Sequence, residues 1–189
     1  MSLNKFKSNM SRYMNNQGGI DKYDDWAKKL TSEYDSAIKR GFELMHQPVK
    51  LFKGNTSGME MMVKSACMKA LNATSQSNNT FYNDLGKAIV SYWQLSELSP
   101  MIPPLTPGGP GAMQNLNTTK APTEIAGTWK PGKFRPTDNV DIFLDRLVIG
   151  ITSHLTTVGG TYYMLCLYPG SPPFTSPGIL KWKGYTVPA

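Results

Sequence analysis

The sequence predicts a mainly α (α+β) fold: an N-terminal helical bundle, a Pro/Gly-rich arm, then one strong helix with a few short strands. Three observations carry this. Within residues 1–98 apolar residues recur at intervals of three and four, the period of an amphipathic helix. Residues 99–119 are crowded with proline and glycine. From Val140 to Leu155 an unbroken apolar stripe at helical spacing returns. The expected organisation is a helical region at 1–98, an arm or linker at 99–119, and an α+β region at 120–189 packed on the first as one compact unit. A chain of 189 residues is long enough to bury the core this needs.

The first helix is expected over 3–15, where Leu3, Phe6, Met10, Tyr13 and Met14 share a face, and it ends at Asn15-Asn16-Gln17-Gly18-Gly19. A second runs from Asp21 to about Arg40 on the stripe Tyr23, Trp26, Leu30, Tyr34, Ala37 and Ile38, with Gly41 placed as its C-terminal cap; the two make a helical hairpin. After a less regular stretch at 46–55, Ser57-Gly58-Met59-Glu60 fits the S-x-x-E capping box. It opens a third helix on Met59, Met62, Val63, Ala66, Ala70 and Leu71. The polar interruption from Asn72 to Asn79 ends at Thr80, where a fourth helix begins on Phe81, Leu85, Ala88, Ile89, Tyr92 and Leu95 and stops before Pro100. The methionines of this half read as core filler before they read as a ligand surface.

Prolines 100, 103, 104, 107 and 110 with glycines 108, 109 and 111 forbid regular structure over about twenty residues. Such a stretch either lies over its own domain or reaches a neighbour. A short extended segment follows, and Thr137-Asp138 then opens the strong helix, with Asp138 as N-cap, Asp141 in the first turn, and Val140, Phe143, Leu144, Leu147, Val148, Ile151 and Leu155 as its stripe. Gly159-Gly160 ends that helix or turns the chain. Residues 161–168 are β-prone, and 179–187 form a possible edge strand after the turn-rich SPPFTSPG.

Charge narrows the function classes. Only 17% of residues are charged, against about 25% in ordinary soluble domains. A surface covered by neutral polar groups desolvates cheaply and suits contact with neighbours. The net charge of +7 is spread as +5 over 1–70, −1 over 71–119 and +3 over 120–189. The N-terminal bases alternate with Asp21, Asp24, Asp25, Glu33 and Asp35, which fits solvated helix faces better than a nucleic-acid arm. The start MSLNKFKSNM lacks the apolar core of a signal peptide, and no run of about 18 apolar residues is present to span a membrane, so a reducing cytosol is expected.

The familiar catalytic templates do not occur. Phosphate-binding glycine loops and H-E-x-x-H are missing, and the prolines of Pro107-Gly108-Gly109-Pro110-Gly111 remove the amide donors that a phosphate cradle needs. His46, His154, Cys67 and Cys166 have no metal-ligand spacing, and both cysteines have apolar neighbours, as buried thiols do. A Cys166/His154 nucleophile pair lacks a basic neighbour to activate the thiol. His154, near the end of the strong helix, reads as a satisfied or dipole-stabilised histidine, and Asp138, Asp141 and Asp145 as first-turn and helix-face residues. The expectation is therefore a protein with no catalytic, metal or cofactor residues. The aromatic and basic residues interleaved at Trp129-Lys130-Pro131-Gly132-Lys133-Phe134-Arg135-Pro136 and Lys181-Trp182-Lys183-Gly184-Tyr185 can stack bases or clamp an acidic partner, or can form strands with rings inward and lysines outward.

The order of features has a counterpart. A helical N-terminal half runs into Lys87-Ala88-Ile89-Val90-Ser91-Tyr92-Trp93, then a Pro/Gly arm, then a strong helix reaching Ser153-His154. Last comes a tail with Pro169-Gly170-Ser171-Pro172-Pro173 and Trp182-Lys183-Gly184-Tyr185. This resembles small virion structural proteins of tailed bacteriophages, of the neck, tail or baseplate type. The resemblance implies repeated copies in a ring or shell, assembled in the host cytoplasm, with loops and termini reaching adjacent subunits. The partners expected are copies of itself and other virion proteins. The candidate interface residues are Pro103, Pro104, Pro107, Pro110, Trp129, Phe134, Trp182 and Tyr185. The alternative is a basic nucleic-acid-binding module using the segments around Trp129 and Trp182.

Overall fold

The computed structural model describes residues 2–44, 49–72, 78–94, 96–100, 106–107, 111–112, 114–117, 139–167 and 176–183. The fold is mainly α. Its helices are α1 (Leu3–Asn16), α2 (Tyr23–Leu44), α3 (Thr56–Asn72), α4 (Asn78–Trp93) and α5 (Val140–Thr157), with a 3-10 turn at Ile20–Lys22 between the first two. All five send apolar side chains to one centre: Phe6 from α1, Leu30 and Tyr34 from α2, Met59 and Val63 from α3, Leu85 and Ile89 from α4, Leu147 and Ile151 from α5. No water-sized space remains among them.

Helix α1 buries Leu3, Phe6, Met10 and Met14, and the Ser2 hydroxyl caps its start by accepting from the Lys5 amide at 3.2 Å. Gly18 then takes φ +122°, a left-handed conformation that would strain any residue with a Cβ, and the chain turns into α2. The expected cap at Gly41 is corrected: α2 continues to Leu44 and Gly41 lies buried within it. A glycine in the last turn forgoes few intrahelical bonds, so the cost of about 1 kcal/mol that applies to a helix interior is an upper bound here. Helix α1 is tied on one side to α2, where Asn9 donates to Glu33 at 2.8 Å. On the other side it is tied to α5, through the Lys7–Asp145 ion pair at 2.6 Å and Ser11 donating to Asp141 at 2.9 Å.

The capping box expected at Ser57 is also corrected. Helix α3 starts at Thr56, and Asn55 accepts from the Gly58 amide at 3.1 Å. Asn55 holds this role because it is anchored twice to the end of α4: its side-chain amide donates to the Ser91 carbonyl at 3.0 Å and its backbone N–H to the Tyr92 carbonyl at 2.9 Å. Met59, Val63, Ala66 and Cys67 face inward. Leu71, expected on that face, is exposed, as are Met61 and Met68, so the methionines of α3 are only partly core. Helix α4 begins at Asn78, two residues before Thr80, and buries Phe81, Tyr82, Leu85, Ala88, Ile89, Tyr92 and Trp93. Leu95 lies outside the described residues.

For α5 the cap is Asn139, whose side-chain oxygen accepts from the amides of Asp141 and Ile142 at 3.1 Å each; Asp138 lies outside the described residues. The predicted stripe is buried at Phe143, Leu144, Leu147, Ile151 and Leu155 and half-buried at Val140 and Val148. Phe143 stacks between Trp26 of α2 and Tyr82 of α4, with centroids at 6.2 and 6.4 Å.

The backbone also pairs in two antiparallel ladders. In one, β1 (Val49–Lys53, in the stretch expected to be less regular) pairs with β2 (Glu97–Pro100), which pairs with β4 (Gly111–Ala112). In the other, β6 (Gly159–Leu167) takes β3 (Thr106–Pro107), β5 (Gln114–Asn117) and β7 (Ser176–Lys183), with Gly159 opposite Lys183 and Cys166 opposite Ser176. Of 99–119 the described residues are 99–100, 106–107, 111–112 and 114–117; the rest of that segment lies outside the described residues.

Gly54 precedes α3 where a Cβ would stand 2.1 Å from Cζ of Tyr92. No L side chain fits there without displacing the ring. Gly54→Ala is expected to lower the free energy of unfolding by about 3 kcal/mol, the scale of an overpacked core, read from the urea midpoint. An unchanged midpoint would contradict this packing.

Candidate interaction surface

The residues chosen from sequence as interface are not brought together among the described residues. Pro107 lies in β3 and Trp182 in β7, where it is opposite Gly160 in the ladder. Pro103, Pro104, Pro110, Trp129, Phe134 and Tyr185 lie outside the described residues.

A different surface is exposed on the helices. Five large apolar side chains face solvent: Met61 (68% exposed), Met68 (40%) and Leu71 (45%) on α3, and Ile142 (45%) and Ile149 (57%) on α5. The helical period explains why they do. Residues seven apart are displaced by only about 20° around a helix, so Met61 aligns with Met68, and Ile142 with Ile149. On α3 that line is opposite Met59, Val63 and Ala66, and on α5 it is opposite Leu147, Ile151 and Leu155, so each pair points away from the core its helix helps to build. Solvent gains nothing from these side chains, whereas a neighbour that covered them would. The signal was in the sequence: both pairs are apolar residues at a heptad interval that the buried stripe cannot accommodate.

Charge differs between the two faces. Beside the α3 line, Lys64 pairs with Asp24 and lies 5.6 Å over the Tyr23 ring, and the hydrogen bond to Asp24 raises its pKa. Lys69 pairs with Asp84 at 3.4 Å. Beside the α5 line stand Asp141 and Asp145 on one side and the half-buried Arg146 on the other. The two lysines and two aspartates remain accessible at the rim.

Two titratable side chains are buried among the helices. Cys67 is a free, buried thiol whose pKa burial pushes up to about 12, so it carries no thiolate at neutral pH. His154 is fully buried, and desolvation lowers its pKa to about 4. This corrects the dipole-stabilised reading, because the loss of hydration outweighs the pull of the helix C-terminus. No three His, Cys, Asp or Glu side chains among the described residues converge as a metal site. A depression of about 530 Å³ between α1 and α2 is lined by Tyr13, Gln17, Lys22, Asp25, Lys28, Lys29 and Ser32. Its Lys29 is held by Glu33 at 2.6 Å, and burial with the nearby Asp25 and Asp21 raises the pKa of Tyr13, keeping the phenol protonated. It is wide open to solvent.

No described helix is long and apolar enough to cross a membrane. No family model, curated protein or solved structure matches the chain.

His154 sets an acid limit on stability. Its pKa is about 4 folded and 6.5 when unperturbed. Between those values the unfolded chain binds a proton that the folded chain refuses, so stability is lost as pH falls through that window. Between pH 7 and 4.5 the parent should lose about 2 kcal/mol more than His154→Leu, as measured by urea unfolding at each pH. Equal losses would show that His154 is protonated in the folded state.

Proposed function

We propose that this chain is a structural or assembly component of a bacteriophage virion, of the neck, tail, baseplate or connector type, acting through subunit–subunit contacts and not through catalysis. The observation that carries the contact role is the pair of outward apolar lines, Met61/Met68 and Ile142/Ile149, on helices whose inner faces already share a filled core. The order of sequence features supports the virion setting. The low charge supports cheap desolvation of the surface between copies. In the finer reading, short strands and the 99–119 arm, with the segments around Trp129, Phe134, Trp182 and Tyr185, extend these contacts onto adjacent subunits.

Nucleic-acid binding is the weaker alternative. It rests on Trp129 and Trp182, whose side chains lie outside the described residues. Among the helices, Lys7, Lys29, Lys39, Lys64, Lys69 and Lys87 are each engaged with a carboxylate of the same chain. That is the pattern of solvated helix faces. Sedimentation velocity over a hundredfold concentration range is expected to show species larger than the monomer that grow with concentration. A strict monomer throughout, absent from purified particles, would remove the proposal.

A further inference from the structure

We infer that the chain associates head to tail, the outer face of α3 in one copy lying antiparallel on the outer face of α5 in the next. This rests on the assembly role proposed above and specifies its contact. The two faces belong to different helices, and each points away from the core they share: α3 packs chiefly on α2 and α4, and α5 chiefly on α1, with Phe143 reaching Trp26 and Tyr82. They are therefore separate surfaces of one molecule, as a head-to-tail contact requires.

Three features match. Each face presents two large apolar side chains seven residues apart, about 10.5 Å along the axis, so that Met61 can sit level with Ile149 while Met68 sits level with Ile142. In that antiparallel register the helical period puts Lys64 and Asp145 on the same side of the contact and within one residue of the same level. Their side chains are 44% and 56% exposed even in their ion pairs within the chain, so each can also face a partner of opposite sign. The parallel alternative, with Met61 level with Ile142, moves Asp145 to the side away from Lys64 and sets Arg146 on the side of Lys64 within one residue of its level. In the antiparallel sense a contact of α3 with α3 would set Lys64 beside Lys64, and one of α5 with α5 would set Asp145 beside Asp145; both are disfavoured by like charge. In that sense charge and spacing together favour α3 against α5.

A contact between two unlike faces leaves one of each free at the ends, so it propagates into a ring or a filament instead of stopping at a dimer. The test uses the full chain in two forms, Met61→Glu/Met68→Glu and Ile142→Glu/Ile149→Glu. All four positions are exposed, and unchanged circular dichroism and thermal midpoints confirm that both forms fold. In sedimentation, each form alone should be monomeric where the parent is assembled, with association at least about tenfold weaker. Mixed in equal amounts, the two should give a one-to-one dimer and nothing larger, since each retains one intact face. If either form still assembles alone, or if the mixture stays monomeric, the head-to-tail contact is wrong although the assembly role survives. A monomeric parent removes both.

Discussion

Tyr92 is wedged where α2, α4 and the turn into α3 meet, and nearly every part of it is used. Its ring meets Tyr34 edge to face at 4.9 Å and Trp93 at 5.8 Å. Its hydroxyl donates to Asp35 at 2.8 Å, and its carbonyl accepts from Asn55. Trp93 in turn donates from its indole nitrogen to the Tyr34 hydroxyl at 2.9 Å. A hydrogen bond to a charged group contributes about 1.5–3 kcal/mol, and each aromatic pair adds about 0.5–1.5 kcal/mol beyond its burial. These magnitudes matter less than their placement. The polar atoms of three large rings find partners without opening the core, and the same contacts fix how α2 crosses α4 and where α3 begins.

The rest of the helical core follows from that junction. With α3 anchored by Asn55 at its first turn, Met59 and Val63 can face only inward, and Met61 and Met68 only outward. Helix α5 is set by Phe143 between Trp26 and Tyr82, and by two polar ties to α1. Its inward stripe likewise dictates the outward position of Ile142 and Ile149. The apolar lines offered to a neighbour are thus a geometric consequence of the core.

Much of the helical part was legible from periodicity, because burial of a stripe is a property of residue spacing. The stripes of α1, α2, α4 and α5 are buried largely as the spacing predicts. Helix ends were less legible, because a cap is chosen by what lies across from it. Ser57 fits the local pattern, yet Asn55 wins by reaching Ser91 and Tyr92, thirty-six residues or more away in sequence. Gly41 resembles a terminator locally yet lies buried within the last turn of α2, and nothing near Gly54 in sequence announces that an aromatic ring will cover it. As for the candidate surface, attention to prolines and aromatic–basic runs pointed away from the helices. The heptad pairs that face solvent were readable as residues left over from each stripe.

Hydrogen exchange at the Asn55 amide tests the junction most directly. This N–H lies in a turn, where exchange is ordinarily fast, but it donates to Tyr92 across the fold. If the Tyr92 junction holds the helices together, Asn55 should exchange only through global unfolding, with a protection free energy equal to that from urea denaturation and lowered equally by Trp93→Phe. Exchange at the rate of an open turn, with α2 and α4 still protected, would show that the helices pack without this junction.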